Sequence, residues 1–152
     1  MPKSINKILD NNNDEYIREE RTFRKWINSL ELKDKSGERI YVNDLNEQSK
    51  DGIILLLTLD KIKPGIVNWR IVTKVANNPF KRTVNCNEVI DACKKAKLSI
   101  SSIGGGDIRD GNKKYILYII WAMMKRYTLE MIGNKIEQEL ISWGNEKVEY
   151  HL

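Results

Sequence analysis

The residues with the most chemical potential in this 152-residue chain lie in "IGGGDIRDGN", residues 103–112, where Gly104, Gly105 and Gly106 precede Asp107 and Asp110. Glycine amides can cradle a phosphate, but a P-loop ends in Gly-Lys-Ser/Thr behind a buried strand. Here the glycines end in Asp107 and follow the polar "KLSISS". A calcium loop opening at Asp107 needs an oxygen ligand at its third place and a bidentate glutamate at its twelfth. Those places hold Arg109 and Tyr118. The remaining reading is structural: the glycines make a tight bend, open to left-handed backbone, and the aspartates cap successive helical segments and oppose the positive helix end.

Cys86 and Cys93 stand seven positions apart in a helical pattern, which places them roughly 10 Å apart, too far for a disulfide. They read as reduced core thiols. With His151 the single histidine, neither a His/Cys metal set nor a Ser/His or Cys/His catalytic pair can be assembled. The chain is expected to be non-enzymatic, with no catalytic residues, metal or cofactor. Lys plus Arg exceed Asp plus Glu by 26 − 21 = 5, a bias toward an acidic partner. No basic block is longer than two residues, so no nucleic-acid partner is expected. The N-terminus lacks a signal-type apolar stretch, and no run reaches the roughly 18 apolar residues of a membrane span. No membrane partner and a cytoplasmic location are expected.

These residues need elements to position them. Tyr16, Phe23, Trp26, Ile27 and Leu30 recur at three, four and seven, one face of a helix, with Arg18, Arg21, Arg24 and Lys25 opposite. Leu45, Ile53, Ile54, Leu56 and Leu57 suggest a second helix stopped by Pro64 and Gly65. Val89, Ile90, Cys93 and Ala96 mark a third, with Lys94, Lys95 and Lys97 outward. The fourth runs from Asn112 to about residue 131. Ile116, Ile119, Ile120, Met123 and Tyr127 form one stripe and Leu117, Trp121 and Met124 another, so it reads as the central, buried helix. No strand pattern competes, and the fold class is all-α. The chain divides into a flexible leader over 1–14, one domain over 15–131, and a linker and tail helix over 132–152. Ile136, Leu140, Ile141 and Trp143 give the tail an apolar stripe, expected to dock on its own domain or to pair with a second copy as a weak homodimer.

"ERTFRKWINSL", "IKPGIVNW", "NCNEVI", "AKLSISSIGGGDIRDGN" and "IIWAMMKRYTL" together resemble the calponin-homology domain family. They are most similar to the third such domain of the fimbrin/plastin actin-bundling proteins, over residues 19–129. The resemblance implies a calponin-homology fold of four main helices around the buried C-terminal one, with Trp26, Trp69 and Trp121 as core anchors. It also implies binding of filamentous actin through the first and last major helices, and a cytoskeletal location. Arg21, Arg24, Lys25, Lys113, Lys125 and Arg126 are the candidate actin-binding residues, their alternative role being a solvated helix face. A non-actin adaptor, binding microtubules or scaffolding signalling proteins, is the second class. The tail "IEQELISWGNEKV" resembles the opening of a following domain, and a single unit is expected to bind actin feebly.

Overall fold

A computed structural model describes the backbone of residues 3–150 and the side chains of residues 13–145; His151 lies outside them. Six helices are described: α1 (Lys3–Ser29), α2 (Leu45–Ser49), α3 (Ile53–Ile62), α4 (Pro79–Lys95), α5 (Gly105–Arg109) and α6 (Lys113–Tyr150), with a 3-10 turn at Trp69–Ile71 before α4. Among the described residues the β-pairing amounts to one isolated bridge between Lys33 and Arg39. The all-α expectation is met.

Helix α1 begins at Lys3 and runs through Asn11–Asn13, where the sequence suggested a boundary. Asparagine is a weak helix former but not a breaker. Phe23, Ile27 and Leu30 bury the inner face of α1. The Asn28 side chain accepts from the Val42 N–H at 2.8 Å and donates to the Val42 carbonyl at 3.0 Å, fastening the next loop to α1.

The single helix expected over Leu45–Leu57 is two. Asp44 caps α2 by accepting from the Glu47 N–H, and Gly52 then reverses the chain at φ 80°. A side chain at Gly52 would lie 3.2 Å from the backbone of Asn85, so close approach and left-handed backbone both demand glycine. Asn85 is fully buried. Its amide accepts from the Thr73 N–H at 2.8 Å and donates to the carbonyls of Thr73 and Asp51 at 2.9 and 3.0 Å. One buried side chain thereby anchors α4 to two loops.

The glycine–aspartate loop has the structural role expected, with changed assignments. Asp107 closes α5 by accepting from the Gly104 N–H at 2.9 Å. Helix α6, however, is capped by Asn112, which accepts from the Tyr115 N–H, while Asp110 lies beside Arg109 at 3.0 Å. The left-handed residue is Gly111, at φ 74°, rather than one of the three clustered glycines. Gly105 is small for another reason: a Cβ there would sit 2.1 Å from Asn87 Oδ1 and 2.8 Å from its N. Helix α5 packs directly onto α4.

The core gathers Ile27, Leu45, Leu55, Leu56, Val89, Ile108, Ile116, Ile119, Ile120 and Met123, all fully buried. The first half of α6 is therefore the buried C-terminal helix expected. Its second half departs from expectation, because α6 continues through Gly133 to Tyr150 as one helix of 38 residues. An interior glycine weakens a helix by about 1 kcal/mol but does not end it. Ile136, Leu140 and Ile141 remain exposed, so these side chains of the tail stripe are not buried in their own domain.

Replacing glycine by alanine in a helix ordinarily adds about 0.5–1 kcal/mol of stability. Gly105→Ala is expected to do the reverse and remove about 1–3 kcal/mol, because the methyl must displace α4 backbone. Urea unfolding checks the sign: a variant as stable as the parent would refute the close packing of α5 on α4.

A candidate partner-binding face on the first and last helices

Helices α1 and α6 lie side by side and run in the same direction. Lys113 Nζ stands 5.1 Å over the Tyr16 ring at one end, and the Trp26 and Tyr127 rings meet at 6.0 Å and 59° at the other. Between them opens a groove of about 750 Å³, floored by Phe23 and Leu117 and walled by Tyr16, Glu15 and Glu19 from α1 and Lys113, Tyr118 and Trp121 from α6. Burial raises the Tyr16 hydroxyl pKa, reinforced by the carboxylates of Glu20 and Asp44, so this phenol stays protonated and neutral. The groove pairs an apolar floor with acidic and basic rims.

Trp121 changes role here. It is 40% exposed and Tyr118 42%, while Trp26 and Trp69 pack against the core. The two exposed rings lie 5.9 Å apart at 49°, and Lys125 Nζ sits 4.3 Å over the Trp121 ring. Lys114, Tyr118, Trp121 and Lys125 follow one another at four, three and four residues along α6, which makes a single outward stripe of cation, aromatic, aromatic, cation. Half-exposed aromatics beside desolvated floors are the residues that dominate protein–protein affinity. The sequence carried a signal for this, since the helical angle of Trp121 is nearest those of the lysines; its apolar type pointed instead to the core.

The six candidate cations divide. Arg21, Lys25, Lys113 and Lys125 are exposed, Arg21 and Lys25 on the outward side of α1 and Lys113 and Lys125 over aromatic rings of the groove. Arg24 is engaged with Glu20 at 3.0 Å, whose carboxylate also accepts from the Leu45 N–H at 3.3 Å. Arg126 donates to the carbonyls of Ala96 and Lys97 at 2.8 and 3.2 Å, where Lys97 turns left-handed at φ 59°. It thus fastens the C-terminus of α4 to α6. Chemistry at the thiols is suppressed, because burial pushes both Cys86 and Cys93 up to about 12. They are neutral thiols at physiological pH.

The calponin homology (CH) domain family matches residues 17–129. The chain is 40% identical over 141 residues to Fimbrin-2 of Arabidopsis thaliana, covering 86% of this chain and 21% of that protein. It is 37% identical over 143 residues to Plastin-3 of Danio rerio, covering 85% and 21%. The chain thus spans about a fifth of the length of the curated relatives it matches. Its structure is similar to the crystal structure of the actin-crosslinking core of Schizosaccharomyces pombe fimbrin, with a TM-score of 0.69 and 34% identity over 78% of this chain and 25% of that one.

Exposure and burial on α6 are separable by mutation. Ile120→Ala, in the core, is expected to remove about 2–5 kcal/mol, whereas Trp121→Ala, one position on, is expected to remove about 1 kcal/mol. Chemical denaturation of the two variants compares them; a Trp121→Ala loss equal to that of Ile120→Ala would return Trp121 to the core.

Proposed function

The chain belongs to the calponin homology domain family, and from that premise we propose that it is a non-catalytic, F-actin-binding module of a fimbrin- or plastin-like bundling protein, acting in the cytoplasm on the cytoskeleton. The observation that carries this reading is the Lys114–Tyr118–Trp121–Lys125 stripe beside the α1–α6 groove. The stripe lies on α6 and the groove between α6 and α1, the two helices that the resemblance assigns to actin, and the fimbrin relative is named for crosslinking actin. Arg21, Lys25, Lys113 and Lys125 steer the domain to an acidic filament, and Trp121, Tyr118 and Phe23 supply the apolar contact. Arg24 and Arg126 serve the interface indirectly, by holding α1 and α4 in place. Exposed ion pairs contribute only about 0–1 kcal/mol each, so the aromatic centre must dominate affinity.

Cosedimentation with F-actin and with microtubules tests the reading. Pelleting with actin is expected to be weak for one domain and to fall as salt shortens the Debye length from about 10 Å to about 3 Å. Trp121→Ala is expected to weaken it by about 2 kcal/mol, roughly thirtyfold, and Lys25→Glu with Lys125→Glu to weaken it while leaving the unfolding midpoint in place. Pelleting with microtubules alone would select the adaptor class instead.

The tail carries a second, separable proposal. Leu129, Ile132, Ile136 and Leu140 are exposed along one continuous helix, and burying each against a second copy gains up to about 1.5–3 kcal/mol before ordering costs. A weak homodimer through this stripe is expected in light scattering across a concentration series. A full chain that is monomeric at every concentration would exclude it.

A further inference from the structure

Away from the α1–α6 groove, the stretch from the 3-10 turn into the first turn of α4 exposes Ile71 (45%), Val75 (72%) and Phe80 (77%). Phe80 and Val75 are the two most exposed large apolar side chains among the described residues. They are held outward by a braced backbone. Asn85 grips both backbone groups of Thr73, the Arg82 guanidinium donates to the Ala76 carbonyl at 3.1 Å, and Asn78 caps α4 through the Lys81 N–H at 2.9 Å.

Charge along this stretch is predominantly basic. Residues 61–87 contain six basic side chains, Lys61, Lys63, Arg70, Lys74, Lys81 and Arg82, and no acidic one. Lys35 adds a cation from the preceding loop, 4.9 Å over the Trp69 ring. Two carboxylates lie nearby and are outnumbered by these cations: Asp34, kept ionised by the hydrogen bonds it accepts from Ser36 and Glu38 and facing Lys74, and half-buried Asp51, which accepts from the Ile53 N–H.

We propose that this tip is a peripheral contact for an anionic lipid surface, with Phe80 and Val75 entering the headgroup layer and Arg70, Lys74 and Lys81 meeting lipid phosphates. Neither the α1–α6 groove nor the clefts beside Asp44, Trp69 and Arg126 are lined by Ile71, Val75 or Phe80, so the tip is separate from those sites. Highly exposed apolar side chains on a cation-rich segment match a deformable, negatively charged interface. No helix of the described residues is long and apolar enough to cross a membrane. A surface contact requires none, and the expectation of no membrane partner rested on the absence of a span. The proposal does not depend on actin binding.

Flotation of the full chain with vesicles of phosphatidylcholine, alone or with about 30% phosphatidylserine, tests it. Binding is expected to the anionic vesicles only. Lys74→Glu with Lys81→Glu is expected to reduce it by roughly tenfold or more, and Phe80→Ala by several-fold, with unfolding midpoints and F-actin pelleting retained. Lys94→Glu with Lys95→Glu, on exposed lysines at the far end of α4, is the control and is expected to change binding by less than about twofold. Absence of flotation would overturn the proposal. Equal loss in the control pair, or no effect of Phe80→Ala, would reduce it to adsorption of a basic protein and overturn it too. Binding of a poly-glutamate peptide with the same dependence on Lys74 and Phe80, without vesicle binding, would assign the tip to an acidic protein and sink the lipid reading.

Discussion

Burial of Ile116, Ile119, Ile120 and Met123 along one side of α6 is the constraint on which the rest depends. A helix with so large an apolar side must be enclosed, and α1, α3 and α5 enclose it from different directions. Once that side is committed, the opposite side is committed as well: the 3.6-residue repeat places Lys114, Tyr118, Trp121 and Lys125 outward whatever their individual polarity. The candidate face is the complement of the core, and neither can rotate without the other.

Polar side chains that would be counted as surface charge instead set how the helices meet. Arg126 closes the end of α4, Arg24 is held by Glu20, and Asn85 fixes Thr73 and Asp51 from a fully buried site. A buried amide with its hydrogen bonds satisfied specifies one geometry, since every displaced alternative leaves polar groups unpaired. Gly52 and Gly105 serve the same end by removing atoms, letting backbone meet α4 at Asn85 and Asn87.

Much of the fold was legible in the sequence because periodicity reports burial directly. The inner faces of α1 and α4 and the core stripe of α6 follow from spacing, and so does the structural role of the glycine–aspartate loop. What was not legible depends on atoms distant in sequence. The break between α2 and α3 falls at Gly52, where Asn85, distant in sequence, leaves no room for a side chain; the local Asp-Gly signal was outweighed by the apolar run that follows it. Trp121 was assigned inward because residue type outweighed its angular position beside the outward lysines. Capping of α6 by Asn112 rather than Asp110 turns on one residue of register. The six candidate cations lie on α1 and α6, the helices the resemblance pointed to, but spacing could not show that Arg24 and Arg126 are bound internally.

The continuity of α6 has a consequence for geometry beyond the domain. With no joint between Lys113 and Tyr150, the helix is a rod of about 57 Å whose far half inherits its bearing from the packed near half. Orientation along such a rod is periodic in residue number. Inserting one residue after residue 131 would turn everything beyond it by about 100° and advance it by about 1.5 Å, while inserting seven would nearly restore the original bearing two turns, about 10.5 Å, further out. The length of this segment therefore acts as a dial for azimuth, coarse in rotation and fine in distance, and Gly133 and Gly144, with open space where a Cβ would stand, are the points at which that dial is least stiff.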